Sequence, residues 1–126
     1  MFEITVEESF AAAHALRGYR GKCENVHGHN YKVEVTLEGE RLDETGLLVD
    51  FVELKRRLRN VIERLDHRML NEIPPFDRLN PTAENMARYF YEELARALQE
   101  SAAAGRVRVA RVRIWETDST TAAYRP

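Results

Sequence analysis

At 126 residues the chain is long enough to bury one real core but short for two, so it is expected to be a single domain spanning residues 1–126. Its 19 basic and 21 acidic residues leave a formal net charge of -2, which argues against the dominant basic face of a nucleic-acid-binding domain and for a small-molecule site. A lone cysteine precludes an internal disulfide, no run approaches the ~20 apolar residues of a membrane span, and MFEITVEES has no leader-like apolar core; a reducing, cytoplasmic location without membrane contact is expected.

Residues 2 to 14 set Phe2, Ile4, Val6, Phe10, Ala12 and His14 on one parity against Glu3, Thr5 and Glu7, the period of a half-buried strand with His14 near its end. From His29 to Leu37 the odd positions Tyr31, Val33, Val35 and Leu37 are apolar, and His27 shares their parity in a second strand. In VELKRRLRNVIERLDH, residues Leu54, Leu58, Val61, Ile62 and Leu65 recur at helical spacing, which puts Asp66 and His67 at a helix C-terminus. A proline-rich loop, NEIPPFDRLNP, leads to a second helix starting near Asn80 to Thr82, with Met86, Phe90, Leu94 and Leu98 as its core stripe.

Gly105 is expected to end that helix, and RVRVARVRIWET reads as a strand. Its apolar parity changes from Val107 and Val109 to Val112 and Ile114, predicting a bulge near Ala110 that puts Glu116 on the apolar parity. STTAAYRP supplies a short edge strand. The order ββααββ predicts an α+β fold, an antiparallel four-stranded sheet with two helices on one face.

His27 and His29, two residues apart on a strand, point the same way at an α-carbon spacing of roughly 6.6 Å. With His14 on the inward parity of the neighbouring strand, they are either histidines with no shared role or, if the two strands are adjacent, the ligand set of a zinc that keeps one position open. Gly28 between them lets the backbone lie close to a ligand. Cys23 is either a fourth ligand that closes the tetrahedron or a thiolate beside an open metal, and a simply buried cysteine fits its polar surroundings poorly. Asp66 and His67 are either a solvated helix end or an oriented proton-transfer pair. Glu116, a carboxylate on a buried parity, needs a partner: an arginine, or a ligand offering two adjacent N–H donors.

FAAAHAL, CENVHGHNYKV, GLLVDFVELK, LDHRML, NPTAEN and WETDST, in this order along nearly the whole chain, resemble the family of 6-pyruvoyltetrahydropterin and 6-carboxytetrahydropterin synthases. The resemblance implies a tunnelling fold (T-fold) whose sheets join into an oligomeric barrel, a homohexamer built as a dimer of trimers. It also implies zinc (Zn2+) on His14, His27 and His29, with Cys23 as the catalytic thiol and Asp66 with His67 as the second proton-transfer group. Glu116 is then expected to grip the pterin, with Thr82 and Glu84 lining the same pocket, and Arg20 and Lys22 are candidates for the triphosphate of the pterin substrate.

Pyruvoyl-forming members typically place five residues between the cysteine and the HGH, whereas here Glu24, Asn25 and Val26 intervene. That spacing favours the 6-carboxy branch of queuosine biosynthesis, a lyase acting on 7,8-dihydroneopterin triphosphate. The pyruvoyl-forming reaction, a route to 6-hydroxymethyldihydropterin, a non-catalytic zinc- or pterin-binding relative and an unrelated structural zinc domain are the alternatives.

Overall fold

Alternating side chains build the first two strands. In the computed structural model, which describes residues 1–126, β1 (Phe2–His14) and β2 (His27–Gly39) form one antiparallel ladder running from Phe2↔Gly39 to His14↔His27. Val6, Phe10, Ala12 and His14 of β1, with Tyr31, Val33, Val35 and Leu37 of β2, bury one face of it.

The first helix, α1 (Phe51–Ile62), starts at Asp50, whose carboxylate accepts a hydrogen bond from the Val52 N–H at 2.8 Å. It buries Leu54, Leu58, Val61 and Ile62. Glu8, on the inward parity of β1, is half-buried and satisfied by an ion pair with Arg59 of this helix. The helix stops at Ile62, short of the expected run to His67. His67 takes φ of 59°, a left-handed conformation incompatible with helix, and its N–H donates to the Ala11 carbonyl at 2.6 Å. The chain is thereby returned to the free edge of β1, where the two-residue β3 (Arg68–Met69) pairs in parallel with Ala12 and Ala13.

Thr82 caps α2 (Ala83–Gln99), its hydroxyl accepting from the Asn85 N–H at 3.1 Å, and Met86, Ala87, Phe90, Leu94 and Leu98 are buried. This helix ends at Gln99; Gly105, at φ of 77°, belongs to the turn that follows. The last two strands, β4 (Arg108–Thr117) and β5 (Thr120–Tyr124), complete a sheet of order β3-β1-β2-β4-β5.

The expected ββααββ order and the α+β class are therefore present, with a fifth, two-residue strand added to the four expected. Thr36 faces Arg111 while Leu37 faces Val109, which makes Ala110 the extra residue of the predicted bulge. A second irregularity lies between Trp115 and Thr117 opposite β5 and leaves Glu116 out of the pairing. No helix is long and apolar enough to cross a membrane.

Phe90 is fully buried, with its ring centroid 5.9 Å from that of Phe10 on β1, so it joins helix to sheet. Phe90→Ala is expected to cost about 3–5 kcal/mol, read as a lower midpoint in urea unfolding. A cost under about 1 kcal/mol contradicts its place in the core.

Candidate metal centre

The β1–β2 register decides what meets at the open end of the ladder. His14 lies opposite His27 and Ala12 opposite His29, so two residues of one strand and one of its neighbour turn three imidazoles to the same side. Their ligand atoms all lie within 4.8 Å of one another. His14 is fully buried, and burial holds its pKa and that of His29 below the usual histidine value. Burial thus favours the neutral ring, the form that binds a metal.

The hydrogen bonds fix which nitrogens are free. His14 Nδ1 lies 2.7 Å from the Pro81 carbonyl and His27 Nδ1 lies 2.7 Å from the Asn25 carbonyl. Carbonyl oxygens only accept, so each Nδ1 carries the proton and each Nε2 presents a lone pair. Those two Nε2 atoms stand 2.9 Å apart. His29 Nε2 is buried without a hydrogen-bond partner, and Glu116 Oε1 lies 3.4 Å from His14 Nε2 and 3.6 Å from His29 Nε2. His14 Nε2, His27 Nε2 and Glu116 Oε1 thus converge as acceptors beside the unpartnered His29 Nε2, an arrangement that repels itself unless a cation stands between them. Three imidazoles, two of them with the second ring nitrogen held by a carbonyl, suit a zinc ion well.

Glu116 reaches this cluster because the bulge at Ala110 shifts the parity of β4 and the irregularity against β5 takes it out of the pairing. It is partly exposed and pairs with the histidines rather than with an arginine. Cys23, half-buried in a single turn of 3-10 helix, is not a member of the histidine cluster. Its carbonyl accepts from the Leu16 N–H at 2.8 Å, which closes the loop between β1 and β2 at its base.

Asp66 and His67 come together through the turn instead of along a helix, with His67 Nδ1 2.9 Å from Asp66 Oδ1. The same Oδ1 accepts from the Ala11 N–H at 3.0 Å, so the pair grips one residue of β1 by both its donor and its acceptor. This N–H, more than the neighbouring imidazole, pulls the Asp66 pKa below the usual carboxylate range. His67 is 81% exposed and lines an open groove with His29, Gly28 and Ala13. At Gly28 an added Cβ meets only the Ala12 carbonyl, at an ordinary 3.7 Å, so the fold itself does not demand a glycine there.

The Thr82 hydroxyl is occupied by its cap, immediately after the carbonyl of Pro81 that holds His14. Glu84 is exposed in the first turn of α2, and Arg20 and Lys22 are exposed in the loop that carries Cys23. Three contributors carried no sequence signal that singled them out. Tyr31 was legible only as an apolar strand position, although it shares the parity of His27 and His29; its hydroxyl, fully buried, lies 3.2 Å from His14 Nδ1. Asn71 and Asn80 sit in the proline-rich loop, where no periodicity marks them.

With its pKa depressed in the folded state, Asp66 stabilises the fold above its unfolded value near 3.8, and that contribution is lost as pH falls through the lower folded value. Asp66→Asn, which cannot ionise, is expected to flatten the decline of melting temperature between about pH 5 and about pH 3. An identical decline in both proteins counts against the Ala11 bond as its source.

The model of the 6-pyruvoyl tetrahydropterin synthase family matches residues 3–126. A 6-carboxy-5,6,7,8-tetrahydropterin synthase from Aquifex aeolicus is 33% identical, the match covering 82% of this chain and 76% of that protein. A 6-pyruvoyl tetrahydrobiopterin synthase from Poecilia reticulata is 38% identical over 97% of this chain and 88% of its own length. The solved 6-pyruvoyl tetrahydropterin synthase of Caenorhabditis elegans superposes with a TM-score of 0.82 at 31% identity, covering 100% of this chain and 97% of that one. With a match over nearly its full length, relatives above 30% identity and the same strand and helix arrangement, the chain belongs to the 6-pyruvoyl tetrahydropterin synthase family.

Proposed function

We propose that the chain is a zinc-dependent 6-carboxy-5,6,7,8-tetrahydropterin synthase. It converts 7,8-dihydroneopterin triphosphate, with one water, to 6-carboxytetrahydropterin, acetaldehyde and triphosphate, a product that suits queuosine biosynthesis. The observation that carries this reading is the convergence of three imidazole nitrogens and the Glu116 carboxylate, with only three residues between Cys23 and His27.

His14, His27 and His29 hold the metal, their outer nitrogens kept in place for His14 and His27 by the Pro81 and Asn25 carbonyls. A zinc ion bound there supplies Lewis-acid stabilisation of negative charge on the substrate side chain. Cys23 and His67 exchange protons with that side chain, and Asp66 fixes the His67 ring by accepting from Nδ1, which leaves Nε2 for the transfer. Glu116, neither of whose oxygens is engaged in a hydrogen bond within the chain, accepts two N–H groups of the pterin, one on each oxygen, in a bidentate fork. Glu84 lines the same pocket, and Thr82 shapes it through its cap. Arg20 and Lys22 meet the triphosphate.

A homohexamer, a dimer of trimers, completes the site. It is supported by the outer edge of β1 ahead of β3 and the outer edge of β5, which have no strand beside them and can pair between copies. The second reading, formation of the 6-pyruvoyl product, is favoured by the 38% identical relative that carries that name.

Metal analysis is expected to find about one zinc per chain, with Cys23→Ala retaining it while losing turnover. Loss of both zinc and fold in that variant makes the thiol a structural ligand and overturns its assigned role. Glu116→Gln is expected to raise KM for the pterin about 10- to 100-fold, the cost of a charged hydrogen bond, with zinc content unchanged. Product masses after incubation with dihydroneopterin triphosphate separate the two reactions: acetaldehyde release supports the carboxy product and its absence rules it out.

A further inference from the structure

We propose that Asn80, working with Asn71, is a positioning residue that sets the place of the Cys23 thiol relative to the histidine cluster. β1 ends at His14, yet the chain from Ala15 to Arg17 runs on as though still inside a sheet. On one side Asn71 accepts from the Ala15 N–H at 2.9 Å and donates through Nδ2 to the Ala15 carbonyl at 2.8 Å. Asn80 repeats the pattern two residues on, accepting from the Arg17 N–H at 2.8 Å and donating to the Arg17 carbonyl at 3.1 Å. On the other side the Leu16 N–H donates to the Cys23 carbonyl at 2.8 Å. Two side-chain amides thus stand where a neighbouring strand is missing, each supplying the donor and the acceptor of a peptide group.

Asn80 links more than this edge. Its own carbonyl accepts from the Thr82 N–H at 2.8 Å and from Asn85 Nδ2 at 2.9 Å, and the next carbonyl, of Pro81, holds His14 Nδ1. The start of α2, the buried imidazole and the segment that carries the thiol turn are therefore referenced to one residue. A shift of the Arg17 peptide passes through Leu16 to Cys23. It leaves His14 in the β1–β2 ladder, so it changes the distance between thiol and metal without dismantling the metal site.

The loop from Asn71 to Asn80 has a second fastening. The Arg17 guanidinium donates to the Phe76 carbonyl at 2.7 Å, and to the carbonyls of Leu79 and Asn71 at 3.3 Å. Losing the Asn80 clip therefore misplaces the loop by a small amount and does not free it.

The inference rests on the reading of Cys23 as the proton-transferring thiol, but one of its readouts does not. Cys23 is the sole cysteine, so iodoacetamide alkylation of the intact zinc-loaded protein reports on it alone. Asn80→Asp keeps the acceptor for the Arg17 N–H but sets a carboxylate oxygen against the Arg17 carbonyl; Asn80→Ala removes both bonds without adding charge. Both variants are expected to keep their zinc and melt close to wild type. Their alkylation rate is expected to change by about threefold or more, and turnover to fall about 10- to 100-fold with KM nearly constant.

Wild-type alkylation or wild-type turnover in a folded variant overturns the proposal. So does a loss of turnover no larger than the loss of folded, zinc-loaded protein. If Asn80→Asp fails to fold, Asn80→Ala decides. A Cys23→Ala protein that turns over normally removes the thiol from the mechanism, and alkylation then decides the role of Asn80 by itself.

Discussion

The pairing register of β1 with β2 is the constraint on which the site depends. Side chains alternate with a period of two, so a slip by one residue would send His14 or the pair His27 and His29 to the opposite face. The slip would also expose either Val6 and Phe10 of β1 or Tyr31, Val33 and Val35 of β2, all now buried, so the hydrophobic core enforces the register of the polar site. Burial then does a second thing. It holds the pKa of His14 and His29 down, so that the same packing that places the imidazoles favours their neutral form, the one able to bind a cation.

Irregular backbone supplies what the ladder cannot. A regular β4 that buries Val107 and Val109 would turn Glu116 away from the histidines, and the extra residue at Ala110 reverses that. The left-handed backbone of His67 plays the corresponding part at the other edge of the sheet. It ends the run of turns after α1 and lets Asp66 and His67 close on Ala11 from both sides. Site residues thus arrive from a ladder, a bulge and a turn, and only the first is regular.

That difference explains what could be read from the sequence. The strand parities, the helix stripes, the Thr82 cap and even the bulge at Ala110 leave a periodic or compositional trace, and all are present. So is the cluster of His14, His27 and His29, since it needs only parity and adjacency of two strands. The early end of α1 was hidden because Leu65 continues the apolar spacing of the helix and is buried, though from a turn. β3 is too short to show alternation. Asn71 and Asn80 act through side-chain bonds to backbone 56 and 63 residues away in sequence, a relation with no local pattern at all.

The gap between Cys23 and His27 acquires a physical meaning from the bond between His27 Nδ1 and the Asn25 carbonyl. That bond fixes the C-terminal end of the gap to the metal side, because it sets the tautomer and tilt of a clustered imidazole. At the other end, the Cys23 carbonyl is tied to Leu16, in line with β1. Between them lie only Glu24 and Asn25 itself, in a turn tightened by the Glu24 N–H to the Gly21 carbonyl and the Asn25 N–H to the Lys22 carbonyl. Two further residues could enter only ahead of Asn25 if its hold on His27 is kept. Such a change would move the thiol and leave the metal site where it is. Spacing in this segment is therefore a means of moving the thiol relative to a constant histidine cluster.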